Sequence, residues 1–204
     1  MVAWLGLVCM AGLTGVACLT ACSPTFDWRT VRLEHAVDLQ AVFPCKPAQL
    51  SRTLSLPGLP GASVAVHLAS CQVGDSTWAL TYFDAQEIGR VPVALASDIQ
   101  SLRDNFQAAT RLAVKSPTAA VSANDLGPAN VRGMTPNPQA RYWRLSGQRA
   151  NGQGDSVPFE VHAWHFSHGL MVYQATVWRP IPPGNAKDST DSVETFIQGF
   201  KFSD

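Results

Sequence analysis

The chain has 204 residues, and its fifteen Lys and Arg balance fifteen Asp and Glu for a formal net charge of zero. A neutral balance without a Lys/Arg cluster excludes nucleic acid as a partner and excludes an electrostatic grip on anionic lipid. The length beyond the N-terminal apolar run suits one core-bearing domain and is hardly enough for two. That run, residues 2–21, reads VAWLGLVCMAGLTGVACLTA, and the first charged residue of the chain is Asp27. A stretch of roughly 20 such residues is either an export signal or just long enough to span a bilayer. Its many Gly and Ala residues and its small-residue end favour the signal.

Leu19-Thr20-Ala21-Cys22 resembles the lipobox of bacterial lipoproteins: an aliphatic residue, two small residues and the cysteine that becomes the lipidated N-terminus. The resemblance implies removal of residues 1–21, a diacylglycerol thioether and an acylated amine on Cys22, and a short tether over residues 22–26. Its partner would be the membrane itself: at about 0.8 kcal/mol per buried methylene, two or three acyl chains hold a domain almost irreversibly. Ser23, where Gram-negative lipoproteins retained at the inner membrane usually carry Asp, implies the outer membrane with the domain facing the periplasm. Signals of this family open on Lys or Arg, so translation is expected to start a few codons upstream. Cleavage removes Cys9 and Cys18 and lipidation occupies Cys22, which leaves Cys45 and Cys71 in an oxidising space. A disulfide is the simplest outcome. A redox pair lacks Cys-x-x-Cys spacing, and two free buried thiols are the remaining alternative.

Beyond the tether, residues 27–204 read as one α+β domain. Strands are expected at 28–33 and 39–43, the second stopped by Pro44-Cys45-Lys46-Pro47. Residues 49–56 follow, then the turn Pro57-Gly58-Leu59-Pro60-Gly61. Residues 63–71 alternate, with Val64, Val66 and Leu68 on one face and Ala65, His67, Ala69 and Cys71 on the other; residues 77–83 form the next strand. The period then changes: Leu95, Ile99, Leu102, Phe106 and Ala109 make a helical stripe over 92–110, with Asp98, Arg103, Asp104 and Gln107 on the polar side. Residues 115–139, interrupted by Pro117, Pro128, Pro136 and Pro138, read as a long loop, either a binding loop or lid or a plain insertion. Strands return at 140–148, 157–166 and 170–179, the last two joined by Ser167-His168-Gly169. Asp191 and Glu194 suggest a capping box for a short final helix carrying Val193, Phe196, Ile197 and Phe200, before a closing strand at 200–202.

Successive strands joined by short turns pair antiparallel. The expected fold is therefore an antiparallel sheet of about 7–9 strands with two helices packed on one face. The TFDW opening, the FPCKP segment and the ETFIQGFKF ending resemble small lipoproteins of proteobacteria, a family that implies no activity. The order of elements is similar to the Mog1/PsbP-like fold.

Three histidines, His162, His165 and His168, are the candidate metal ligands. Strand geometry separates them: residues three apart point to opposite faces, and His162 and His168 lie roughly 20 Å apart at about 3.3 Å per residue. A pair with a residue of another strand, such as His67, stays open. Gly74-Asp75-Ser76 and Gly154-Asp155-Ser156 spell the start of a serine-hydrolase motif, yet both fall in expected hairpin turns, and no Asp-x-x-His or Gly-x-Ser-x-Gly accompanies them. Glycine-rich stretches do not lead from a strand into a helix, so no phosphate cradle is expected. The aromatics Trp28, Trp78, Trp143, Trp164, Phe166, Tyr173 and Trp178 suit a core or sheet face better than a stacking platform. No cofactor is implied. The expectation is a non-enzymatic, lipid-anchored envelope module that binds or supports an envelope protein or ligand; the alternative is a periplasmic small-molecule or metal-binding module using the 162–168 hairpin.

Overall fold

A computed structural model describes residues 26–36, 38–57, 59, 61, 63–181 and 187–203; the leader and the lipobox, Cys22 included, lie outside them. Among the described residues the elements run β1 (Arg29–Val31), β2 (Leu39–Phe43), β3 (Ala48–Ser55), β4 (Ser63–Val73), β5 (Ser76–Asp84), α1 (Val91–Val114), β6 (Ser122–Pro128), β7 (Arg141–Ala150), β8 (Ser156–His168), β9 (Met171–Pro180), α2 (Lys187–Gln198) and β10 (Lys201–Phe202). The fold is α+β and mostly sheet, as expected. Seven strands form one antiparallel sheet in the order β3-β4-β5-β9-β8-β7-β6, and β1-β2-β10 form a second. No helix of the described residues is long and apolar enough to cross a membrane.

Local chemistry accounts for the hairpins. Gly74 (φ 56°) and Gly169 (φ 57°) take the left-handed conformation that the tight β4–β5 and β8–β9 turns require, where a side chain would be strained. Pro92 sits in the first turn of α1, and Lys115 ends the helix in the left-handed region (φ 53°) while Ser116 N–H bonds Arg111 O at 3.1 Å. The decisive long-range step is the pairing of β5 with β9, from Thr77 opposite Trp178 to Asp84 opposite Met171. It joins an N-terminal meander to a C-terminal one, with α1 and β6 carried between them.

The helices do not share a face, contrary to expectation. Val91, Ala94 and Leu95 of α1 pack with Phe83, Val64 and Val172, and further along Leu102 and Phe106 pack with Leu145, Phe159, Val161 and Ala163. On the opposite face Trp78, Leu80, Tyr82, Phe166, Tyr173 and Val177 meet Phe43 of β2, Phe202 of β10 and Val193 and Phe196 of α2. The large sheet is thus a middle layer. The physical reason is that β5, β8 and β9 carry bulky apolar side chains at both parities, so both faces need cover. The second-face core is aromatic: Phe43, Phe196 and Phe200 meet edge to face at ring-centre separations of 5.3, 6.1 and 4.9 Å. Such pairs add about 0.5–1.5 kcal/mol each beyond their burial.

Glycines allow close approach on both faces. A methyl group on Gly147 of β7 would stand 2.5 Å from Thr110 Oγ1 of α1, and one on Gly199, after α2, 2.6 Å from Val42 Cβ of β2. Cys45, in the turn after β2, is bonded to Cys71 of β4, with sulfurs 2.01 Å and Cα atoms 6.0 Å apart. Closing a loop with a sequence separation of 26 residues stabilises the fold by about 3.5 kcal/mol in the chain-entropy picture.

Three further departures have local causes. The 115–139 segment contains an edge strand, β6, which pairs with β7 through a bulge between Asp125 and Gly127 (φ 114°). Beyond it the chain is clamped to the β8–β9 hairpin: Thr135 N–H bonds Ser167 O at 2.8 Å, and Thr135 Oγ1 accepts from Gly169 N–H at 2.9 Å. Prolines and a bulge hid this strand from its residue pattern. Asp98, assigned to the polar side of α1, is turned toward the sheet and His165 instead. The final helix begins four residues before Asp191, so Asp191 and Glu194 are not its cap; Asp191 O accepts from Thr195 Oγ1 at 2.8 Å within the helix.

Candidate functional site

Strand β8 distributes the three histidines as its pleat demands. Even-numbered residues face the second sheet and α2, odd-numbered ones face α1. His162 and His165 are both buried, at 6% and 1% exposure, but on opposite sides of the strand. His168, at the hairpin end, stacks on Phe202 with ring centres 4.2 Å apart and places Nδ1 2.8 Å from Gly133 O. His67 lies elsewhere: it stacks between His35 and Tyr82 and its Nδ1 is 2.6 Å from Ser51 Oγ. The candidate metal ligands are therefore not brought together, and no group of three or more metal-ligating side chains occurs among the described residues.

His162 belongs to a buried polar cluster that sequence reasoning missed. Its Nδ1 lies 2.6 Å from the Tyr142 hydroxyl of β7, and its Nε2 lies 3.2 Å from Glu160 Oε1 two residues back on the same face. Arg179 of β9, directly across from Glu160, donates to Oε1 from Nε and from Nη2, both at 2.7 Å. The Tyr142 and Trp164 rings stack at 4.5 Å with 9° between their planes. Burial alone would raise the Glu160 carboxyl, but hydrogen bonds and positive charge from His162 and Arg179 outweigh it and bring the pKa down to about 2. Burial pushes the Tyr142 phenol up to about 12. At neutral pH Tyr142 thus keeps its proton and Glu160 keeps its charge. The cluster has the connectivity of a relay, phenol to imidazole to carboxylate, yet its phenol keeps its proton near neutrality and is not a nucleophile. What it does in this arrangement is fix three strands in register. Its signal was the spacing of Glu160 and His162 at i, i+2, which a strand places on one face; Tyr142 and Arg179 could be added only once strand pairing was known.

On the other side of β8 the chemistry is sparser. His165 Nε2 stands 2.9 Å from Gln174 Nε2 and 3.6 Å from Asp98 Oδ2, the latter beyond hydrogen-bonding reach. His165 Nδ1 and Asp98 Oδ2 are buried without a hydrogen-bond partner among the described residues. Burial lowers His165 to about 3 and raises Asp98 to about 7. Near neutrality the imidazole is uncharged and cannot serve as a proton donor to solvent, because nothing exposes it.

Both Gly-Asp-Ser sequences occupy hairpin turns, as expected. Gly74-Asp75 joins β4 to β5, and Asp155 closes the β7–β8 turn, its N–H bonding Asn151 Oδ1 at 2.8 Å. Of the aromatics, Trp78, Trp164, Phe166 and Tyr173 are buried, and Phe26 and Trp28 pack on Trp78 at ring-centre separations of 5.9 Å each. No protein-family model matches this chain, and no curated protein matches it.

Proposed function

We propose that this chain is a non-enzymatic module of the cell envelope, anchored by lipid on Cys22 to the periplasmic side of the outer membrane, that binds or supports another envelope component. The observation that carries this reading is the Cys45–Cys71 bond: the cysteines outside the apolar leader and its end are joined to each other, as suits an oxidising compartment. Two further features support it. Phe26 packs on Trp78 and Asp27 N–H bonds Pro44 O at 2.9 Å, so the domain would sit within a few residues of a lipidated Cys22. In the polar cluster Glu160, His162 and Arg179 are buried with only Tyr142 partly exposed, and His165 is buried on the other face, which favours a structural over a catalytic use.

Metabolic labelling with palmitate tests the anchor. Cys22→Ala should lose the label and accumulate as an unprocessed or soluble species, while Cys45→Ser should keep the label and lose its faster migration on a non-reducing gel. Equal labelling of Cys22→Ala and the parent would remove the lipid anchor from this reading.

A further inference from the structure

Helix α1 crosses its face of the large sheet on a diagonal. It starts over β5 and β9, where Val91 and Leu95 meet Phe83 and Val172, and ends over β7, where Thr110 Oγ1 donates to Gln148 O at 3.0 Å. Among the described residues this diagonal cover stops short of one corner of the same face. At that corner β9 ends at Pro180, while the β4–β5 turn on one side and the β7–β8 hairpin on the other stand past it. The result is an open cleft of about 710 Å³ between the two hairpin tips, lined by Gln72, Asp75, Thr77, Arg149, Gln153 and Phe159, with Val157 and Pro180 on its apolar floor. That volume lies within the usual range of small-molecule sites.

Two charged side chains line the cleft, the Asp75 carboxylate and the Arg149 guanidinium, and of the two only Arg149 can pair with an anion. Arg149 of β7 stands opposite Val157 and holds its guanidinium beside two rings at the edge of the α1 packing, 5.1 Å from the Phe159 ring centre and 5.8 Å from that of Trp178, which Phe106 of α1 also meets. Its attractions are to these ring faces, and it makes no ion pair with the described residues. From there the planar guanidinium can meet a carboxylate with two N–H groups at a time. By contrast the rim amides are already used within the protein: Gln72 Nε2 bonds Gly74 O at 2.9 Å, and Gln153 Oε1 accepts from Asn151 at 3.1 Å.

We propose that this corner cleft is a binding site for a small organic carboxylate, its anionic end paired with Arg149 and its apolar body on Val157 and Pro180. The site rests on the reading of the domain as a binding module and is independent of how Cys22 is modified.

The experiment titrates the full-length chain, purified in an uncharged detergent, with butyrate and benzoate, and with butylamine and benzylamine as charge-reversed controls of the same apolar bodies. Tryptophan fluorescence reads the binding, because Trp178 lies under Arg149, and calorimetry checks it. Saturable binding of the carboxylates and none of the amines is expected. Arg149→Gln should weaken the carboxylates by about tenfold or more, and Arg149→Lys, which keeps charge but loses the planar fork, by less. Circular dichroism melts confirm that both variants fold. Failure of both carboxylates to bind, equal binding of amines, equal binding of inorganic phosphate, or undiminished affinity in folded Arg149→Gln would each overturn the proposal. None of these outcomes bears on palmitate labelling, so failure of the cleft and failure of the anchor are told apart.

Discussion

The two sides of strand β8 carry the same residue type in opposite electrical settings. On one side His162 shares a cluster with Tyr142, Glu160 and Arg179, in which the buried carboxylate has three donors around it. On the other, three residues along, His165 and Asp98 face each other at 3.6 Å with a buried nitrogen and a buried oxygen unpartnered. The comparison shows how burial acts on ionisable groups. Where donors and charges surround the carboxylate, the ion survives and its pKa falls; where they are lacking, burial expels charge and drives acid and base toward their neutral forms. The first side is costly to break because it is complete. The second is cheap to hold only while both partners stay neutral.

The sharpest way to break the comparison is to remove the carboxylate from the complete side. Glu160→Ala removes the buried carboxylate that Arg179 and His162 both meet and should cost about 4 kcal/mol in urea unfolding. A loss under about 1 kcal/mol would mean that the cluster contributes like a surface pair. A smaller effect should come from the packing on the α1 side. Gly147→Ala forces a methyl to within 2.5 Å of Thr110 Oγ1 and should destabilise by about 2 kcal/mol, since α1 must lift from β7 or give up the Thr110–Gln148 bonds. Unchanged stability would show that α1 docks more loosely than the Thr110 contacts require.

The smallest effect is also the most diagnostic, because its sign differs between two variants. Asp98 rises from 3.8 unfolded to about 7 folded, so the native state holds a proton that the unfolded chain releases, and its contribution to stability is lost as pH rises from about 4 to 7. His165 falls from 6.5 to about 3, so the unfolded chain takes up a proton that the native state refuses, and stability is lost as pH falls from 6.5 toward 3. Between about pH 4 and 6.5 the two slopes offset. Relative to the parent, Asp98→Asn should lose stability toward acid and His165→Gln should lose it toward neutrality, each by at most ~1.4 kcal/mol per pH unit. Urea midpoints at pH 4.5, about 5.5 and about 6.5 measure this. Parallel profiles in all three proteins would dissolve the contrast between the two sides of β8.

Much of this architecture was readable from residue patterns, and the misses share a cause. The strand at Leu39–Phe43 and the helix at Val91–Val114 matched their periodicities because one side of each faces a core and the other does not. Strand β8 is buried on both sides over nearly its whole length, so the residue pattern gave no sign that Glu160 and His162 are buried against partners distant in sequence. Asp98 was misassigned for a related reason: its polarity suggested water, and only the pairing that sets His165 beneath α1 shows that it faces inward. Strand β6 was hidden by its bulge and by Pro128, since an edge strand needs neither alternation nor a full set of N–H donors.

By itself the sequence determined the local geometry: which segments extend, which coil and where glycine turns the chain, because these follow from spacing and from the conformational limits of single residues. The tertiary structure alone decided that β5 pairs with β9, that the helices cover opposite faces, and that Tyr142, Glu160, His162 and Arg179 meet. Those outcomes depend on burying both faces of one sheet at once, a condition on residues far apart in the chain that no local period encodes.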